Sequence, residues 1–327
     1  AGPAPGLKNF WFFCAASIGI AQGGGAGKYM AQWMTYGDAD INMLEFEPRR
    51  YMSWANKDYA IKKSSDQYRR MYFTPLPNES IETGRPMKKT PIYNKLKESG
   101  AMYLDSYGWE KPCWFAKKGM KEEYGFKRTN AFTYVQKECE NVQNNVGVLD
   151  LSTFAKYEIS GKDSEKFLGR LCANQIPKKD GSIILTHMLN SKGRIQSELT
   201  ITRFPNNLFY VLSSTASEIR DFDWFNHHLY EKEEVNIKNV TKDYGVLVLA
   251  GPKSRTVLSQ ITSQNLNNND FPWLKGKEIL INKIPVRALR VNYVGELGWE
   301  LHHPMNQMEA LYDTICEVGK KENIVKA

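Results

Sequence analysis

Two carboxylates in this chain sit where they could bind a ligand or move a proton. Glu300 lies between two large apolar residues, in Arg290-Val291-Asn292-Tyr293-Val294-Gly295-Glu296-Leu297-Gly298-Trp299-Glu300-Leu301. An ionised carboxylate beside Trp299 and Leu301 is costly unless donors reach it. A planar ligand edge with two N–H groups would supply them, and a bidentate pair of that kind is strong and geometrically selective. The alternative is an ordinary hairpin with Glu300 on its wet side. Val291, Tyr293 and Leu301 alternate around a glycine-bounded turn, which predicts strand–turn–strand. The second acid is Glu198, in Gly193-Arg194-Ile195-Gln196-Ser197-Glu198-Leu199-Thr200. Taken by itself it reads as an exposed carboxylate on a strand.

A third feature is Ser17-Ile18-Gly19-Ile20-Ala21-Gln22-Gly23-Gly24-Gly25-Ala26-Gly27-Lys28. The pattern predicts a buried strand over the apolar run before it and a helix from about Ala26 to Tyr36, stopped at Gly37. Glycines let backbone approach a ligand closely, and a helix start offers unpaired N–H groups to a negative atom. It is neither a Walker loop nor a GxGxxG fingerprint, so a tight strand–helix turn explains it equally well.

Composition excludes several classes. The 327 residues allow two modest domains or one large one, with 42% hydrophobic and 24% charged content. The net charge of +8 is spread over isolated lysine pairs such as Lys62-Lys63 and Lys178-Lys179. That dispersal argues against a nucleic-acid partner and for a solvated surface that could steer a polyanionic small ligand. Five scattered cysteines without CxxC spacing argue against disulfides or zinc and suit a reducing compartment. His227-His228 and His302-His303 are neighbours that strand or helix geometry points apart, so no metal site is expected. Phe10 to Ala21 is too short to span a bilayer, and no membrane span is expected. The chain opens without a methionine, already inside what looks like a strand, and reads as a fragment.

Three regions must position these residues. Residues 1–55 hold the apolar run, the glycines and the first helix. Residues 56–140, rich in Tyr, Lys and Pro, read as a connector with turns at Pro75-Leu76-Pro77-Asn78 and Thr83-Gly84-Arg85-Pro86 and a short helix at Pro91 to Gly100. Residues 141–327 predict strands at Ile183–Leu189, Ile195–Thr202, Leu208–Ser213, Val246–Leu249 and Val286–Val294. Helices are predicted after a capping Asp163, at about Thr215–Tyr230, and at Pro252–Leu258. The fold class is α+β.

With these motifs assembled, the chain resembles the C-terminal portion of the dimethylglycine dehydrogenase and sarcosine dehydrogenase family. Ser17–Lys28 with Ala31-Gln32-Trp33-Met34 is similar to the end of that family's flavin domain. Glu47-Pro48-Arg49-Arg50-Tyr51, Thr83-Gly84-Arg85 and Tyr107-Gly108-Trp109-Glu110-Lys111-Pro112 resemble its connector. Asp150-Leu151-Ser152-Thr153-Phe154-Ala155-Lys156, His187-Met188-Leu189-Asn190, Ala250-Gly251-Pro252 and the Glu300 stretch resemble its folate-binding domain, akin to the aminomethyltransferase of the glycine cleavage system. The resemblance implies the tail of an FAD-binding domain, a connector, and an aminomethyltransferase-like α+β domain, truncated at both ends.

It also implies a mechanism in the mitochondrial matrix. FAD takes a hydride from an N-methylated glycine, and the resulting iminium passes to tetrahydrofolate, giving methylenetetrahydrofolate. An electron-transfer flavoprotein is the implied acceptor. Ser17, Ile18, Gly19 and Ile20 would line the flavin. Glu300 and Tyr293 would hold the pterin, Glu198 would stand beside the attacking nitrogen, and Leu199, Thr200, Leu301 and His302 would adjoin them. Several relatives carry Asp at the Glu198 position. The rivals are a non-catalytic protein like the regulatory subunit of pyruvate dehydrogenase phosphatase, which the glycine-rich loop and Thr83-Gly84-Arg85 also resemble, and a structural subunit of a larger assembly.

Overall fold

Alternating side chains build the larger part of the chain as two largely antiparallel sheets pressed face to face. A computed structural model describes residues 1–14, 19–51 and 53–327. The N-terminal region contains β1 (Gly2–Pro3), β2 (Trp11–Phe12), α1 (Gly19–Tyr36) and α2 (Lys57–Arg69). Then come α3 (Tyr93–Glu98), the hairpin β3 (Ala101–Ser106) and β4 (Trp109–Phe115), and α4 (Ala131–Asn144). The first half of the sandwich uses β5 (Gly147–Asp150), β6 (Ala155–Ser160), α5 (Ser164–Leu171), β7 (Ile183–Leu189), β8 (Ile195–Phe204), β9 (Leu208–Ser213), α6 (Glu218–His227) and β10 (Asn236–Asn239). The second adds β11 (Tyr244–Ala250), α7 (Ser254–Ser259), β12 (Gly276–Ile281), β13 (Ile284–Leu289), β14 (Gly298–Pro304), α8 (Met308–Gly319) and β15 (Val325–Lys326). No helix among the described residues is long and apolar enough to cross a membrane.

The first sheet runs β10-β6-β9-β8-β7, the second β12-β13-β14-β11-β5-β15. Period-two burial assigns each strand face. Tyr157, Ile159, Leu199, Ile201, Phe209 and Val211 point outward from the first sheet, under Phe167, Leu168 and Leu171 of α5 and Phe225 of α6. Leu247, Leu249, Trp299 and Leu301 point outward from the second, under Val257 and Leu258 of α7 and Leu311 and Ile315 of α8. Each outer face is therefore sealed by a helix stripe, and the inner faces meet each other. Central strand β11, apolar on both sides, reads as an unbroken hydrophobic run for that reason.

Differences from the predicted elements have local causes. The helix that stops at Gly37 starts as far back as Gly19, so Gly23, Gly24, Gly25 and Gly27 lie inside α1 rather than in a turn. Among the described residues the expected buried strand is Trp11–Phe12, which pairs with β1, with Phe10 and Phe13 both half exposed. Asp163 does not cap α5; its carboxylate instead accepts the Glu234 amide, and Ser164 bonds Gly161. The strand expected to reach Val294 ends at Leu289. Asn292 folds on itself there, its side chain accepting from Val294 N–H and donating to the Glu296 carbonyl. Such local bonds compete with a ladder, so residues 290–297 form a loop between β13 and β14.

The connector motifs are structural. Arg85 forks onto Glu110 at 2.9 and 2.7 Å and also reaches the Tyr103 carbonyl, tying the segment after α2 to the β3–β4 hairpin. Tyr107 and Gly108 turn that hairpin with φ of 52° and 83°, as a two-residue turn requires. Ile92, Leu96 and Ala101 enter the core of the second sheet. Arg85 and Glu110 are both nearly buried, so Arg85→Met should leave an unpaired acid and lower stability by about 3 kcal/mol or more. Lys95→Met, at the exposed pair with Asp313, should cost less than about 1 kcal/mol. Urea unfolding midpoints check the contrast, and equal costs would refute the buried-pair account.

Candidate functional site

Strand β14 runs between β13 and β11, in register with both, and this central place decides where its acid points. Leu289 and Val248 are the cross-strand partners of Glu300, and Arg287 and Val246 those of His302. All lie on the inner face, opposite the first sheet. Glu300 retains 3% of its surface. Its Oε2 is 3.1 Å from His302 Nε2, and His302 Nδ1 is 3.1 Å from the hydroxyl of Tyr210 on β9. No protein group among the described residues bonds Oε1. Burial pushes the Glu300 carboxyl up to about 8, so at neutral pH it largely keeps its proton. Burial holds His302 well below its usual value, and Lys156 and Arg287 add to that effect, so its ring is neutral.

The inner layer is unusually polar for the interior of a sandwich. Lys156 on β6 is fully buried, its ammonium 2.8 Å from each of the Ser152 and Phe154 carbonyls and 3.3 Å from that of Thr241. Burial brings its pKa down to about 7. Asp150 accepts from Thr90 at 2.8 Å and from the Ser152 amide at 3.0 Å. Arg287 reaches Glu158 at 2.7 Å and lies within about 5 Å of the Phe204, Tyr210 and Tyr244 rings. Buried charges must be paired or hydrogen-bonded, and each of these is.

The predicted residues separate into groups. Glu198, Thr200 and Thr202 follow one another on the inner face of β8, which carries Tyr210 one strand away. Glu198 is more than half exposed and stands 3.4 Å from His187 Nε2, its cross-strand partner on β7. Leu199 and Leu301 are wholly buried in the outer cores, so their side chains face away from both acids. Tyr293 lies on the 290–297 loop, two-thirds exposed, its ring free to cover a ligand. Ser17 and Ile18 lie outside the described residues. Gly19 and Ile20 open α1; Ile20 is exposed and nothing lies within 4 Å of where a Gly19 Cβ would be. A hollow of about 860 Å³, lined by Phe12, Phe13, Gly19, Gly23, Tyr29 and Tyr51, adjoins them.

Sequence reasoning passed over the groups that support the acids. Tyr210 sits in an apolar strand with nothing local to single it out. His187 was visible only within a motif. Asp221, buried on α6, accepts from Ser197 Oγ at 2.8 Å and so pins the strand end that carries Glu198. Burial lifts it to about 6. The N-terminal segment reaches the same region. Arg49, bound to buried Glu47 at 2.6 Å, approaches Asp223 on α6 at 3.8 Å, and Asp38 holds Arg194 at 2.9 Å.

Residues 92–327 match the GCVT N-terminal domain family, and residues 36–90 the FAD dependent oxidoreductase central domain family. Rat mitochondrial dimethylglycine dehydrogenase is 37% identical over 326 residues, 99% of this chain and 38% of that protein. Human mitochondrial sarcosine dehydrogenase is 27% identical over all of this chain and 40% of that protein. The chain thus spans about two-fifths of these relatives' length. Among solved structures, glycine cleavage system aminomethyltransferase T from Bartonella henselae aligns with TM-score 0.60 at 20% identity. That alignment covers 73% of this chain and 59% of the other, and it establishes likeness of fold.

The buried acid has a thermodynamic signature. Glu300 binds its proton more tightly folded, with a value of about 8, than in the unfolded chain near 4.5. The native state therefore holds more protons between those values, and stability falls as pH rises through that window. Glu300→Gln should flatten this fall, gaining on the wild type from about pH 5 to 8 and converging with it below about pH 4.5. Urea unfolding across that range checks it; parallel curves would contradict the buried, protonated acid.

Proposed function

The chain belongs to the dimethylglycine and sarcosine dehydrogenase family, with an FAD dependent oxidoreductase central domain leading into a GCVT N-terminal domain, and on that premise we propose that it forms the folate-side part of a flavin-dependent N-methyl amine dehydrogenase. The substrate is an N-methylated glycine, dimethylglycine or sarcosine. The cofactors are FAD and tetrahydrofolate, the product is methylenetetrahydrofolate, the electron acceptor is an electron-transfer flavoprotein, and the location is the mitochondrial matrix.

The observation that carries this reading is Glu300. Its one hydrogen-bonded oxygen faces His302, while Oε1 has no protein partner among the described residues and the residue keeps a sliver of access. A carboxyl held in this way, ionised on binding, fits the N–H edge of a pterin, whose donors would supply the hydrogen bonds its surroundings do not. Tyr293, exposed on the loop beside β14, would close over the ring. Glu198, on the facing sheet and nearer solvent, would accept the proton leaving the attacking folate nitrogen and pass it to His187 at 3.4 Å.

At the other end, Gly19, Gly23 and the aromatic hollow fit one face of a flat ring system, bare helix backbone against it and Phe12, Phe13 and Tyr51 around it. Bound FAD supplies the oxidation of the N-methyl amine to an iminium. This chain's own part is to receive the one-carbon unit, orient the acceptor and take its proton.

Two measurements on the full-length protein test the reading. Tetrahydrofolate titration of Glu300→Ala should show affinity lowered at least about tenfold, as loss of a charge-assisted pair implies; unchanged affinity removes the folate assignment. Anaerobic addition of dimethylglycine or sarcosine should bleach the flavin. No bleaching with either would favour a non-catalytic relative, of the kind the regulatory subunit of pyruvate dehydrogenase phosphatase represents.

A further inference from the structure

We propose that His302 is a positioning residue for Glu300, its proton fixed on Nε2 by the hydroxyl of Tyr210 from the facing sheet, so that this dyad keeps the acid ready to accept a ligand's N–H donors. The inference rests on the reading that Glu300 holds the folate. Tyr210 is wholly buried, and burial holds its phenol far above the ordinary value, so its proton stays on. The large majority of buried hydroxyls find an acceptor. The Tyr210 acceptor among the described residues is His302 Nδ1, at 3.1 Å, in an edge-on packing of the two rings at 89°. With Nδ1 accepting and the ring neutral, the remaining proton lies on Nε2. That N–H points at Glu300 Oε2, 3.1 Å away. The donors therefore run in one direction, from Tyr210 through His302 to Glu300, and leave Oε1 without a protein partner among the described residues.

The groups around the dyad reinforce this direction. From β6 come Lys156, bound to three carbonyls, and Glu158; from β13 comes Arg287, paired with Glu158; from β11 Tyr244, and from β12 Glu278 near Arg287. Arg287, and Lys156 while it is protonated, oppose a second proton on His302. Neither forms an ion pair with Glu300 among the described residues, so His302 is its one charge-favouring donor there. His303, next in sequence, points to the other face and bonds the Leu301 carbonyl at 2.9 Å, so it cannot substitute.

The test is the pH profile of tetrahydrofolate affinity in the full-length protein, measured under argon from about pH 6 to 10. Wild-type affinity should rise through about pH 8 and level off above it, as the acid ionises. His302→Leu should bind at least about tenfold more weakly at pH 7.5 and move the levelling point up by about one unit or more. His302→Gln, whose amide can accept from Tyr210 and donate to Glu300, should restore most of the affinity. Tyr210→Phe, which removes a hydroxyl and little volume, should shift the profile in the same direction and serves if His302→Leu does not fold. A wild-type profile in both His302→Leu and Tyr210→Phe, with binding lost in Glu300→Ala, overturns the positioning role alone. Unchanged binding in Glu300→Ala overturns the folate reading, and this proposal with it.

Discussion

Everything in the sandwich depends on how two sheets bury a polar layer between them. The outer faces are ordinary, apolar strands under apolar helix stripes. The inner faces instead carry Lys156, Glu158, Arg287, Tyr210, His302 and Glu300. Removing charges from water costs several kcal/mol each before any pairing is counted. Such a layer persists because its charged members are met by the opposite sheet or by backbone. Lys156 illustrates the constraint, since its ammonium ties together the turn after β5 and the segment after β10. The interior is thus specified by direction as well as by shape, because hydrogen bonds, unlike apolar contacts, must be aimed.

Glu300 is the member that this satisfaction leaves incomplete. Its neighbours provide one donor where a buried carboxylate wants several, and the deficit appears as a raised affinity for a proton. A fully satisfied acid would be inert structure, and a fully exposed one would have little selectivity. Glu198 occupies the second of these conditions, paired loosely with His187 at the wet end of β8. Two acids with the same chemistry therefore meet different surroundings by depth alone, which is how a protein can separate a binding carboxylate from a proton-transferring one, the division proposed above.

Much of this was legible in the sequence, and what was not has physical reasons. Glu300 announces itself because Trp299 and Leu301 flank it, and alternation places flanking residues on the opposite face; that is the actual arrangement. The strands β7, β8, β9 and β11 are long alternating or continuous apolar runs, and their bounds were readable to within a few residues. By contrast, Tyr210 looks like any apolar strand residue, and only the pairing of distant strands, ninety-two positions apart along the chain, brings it to His302. The glycine-rich stretch misled because glycine signals a turn by propensity, whereas here it is wound into α1. The loop at 290–297 was hidden by an alternation that Asn292 interrupts through its own backbone.

The clasp between the N-terminal segment and the sandwich is made of charges at two depths. Arg49, Glu47 and Asp223 lie almost wholly inside, while the Arg194–Asp38 pair is open to solvent. Counter-ions reach the second and hardly touch the first. Rising ionic strength will therefore loosen the outer pair, at the β7–β8 turn beside Glu198, well before it weakens the inner one. The junction then behaves as a door hinged on buried charges, with a latch that the surrounding electrolyte sets.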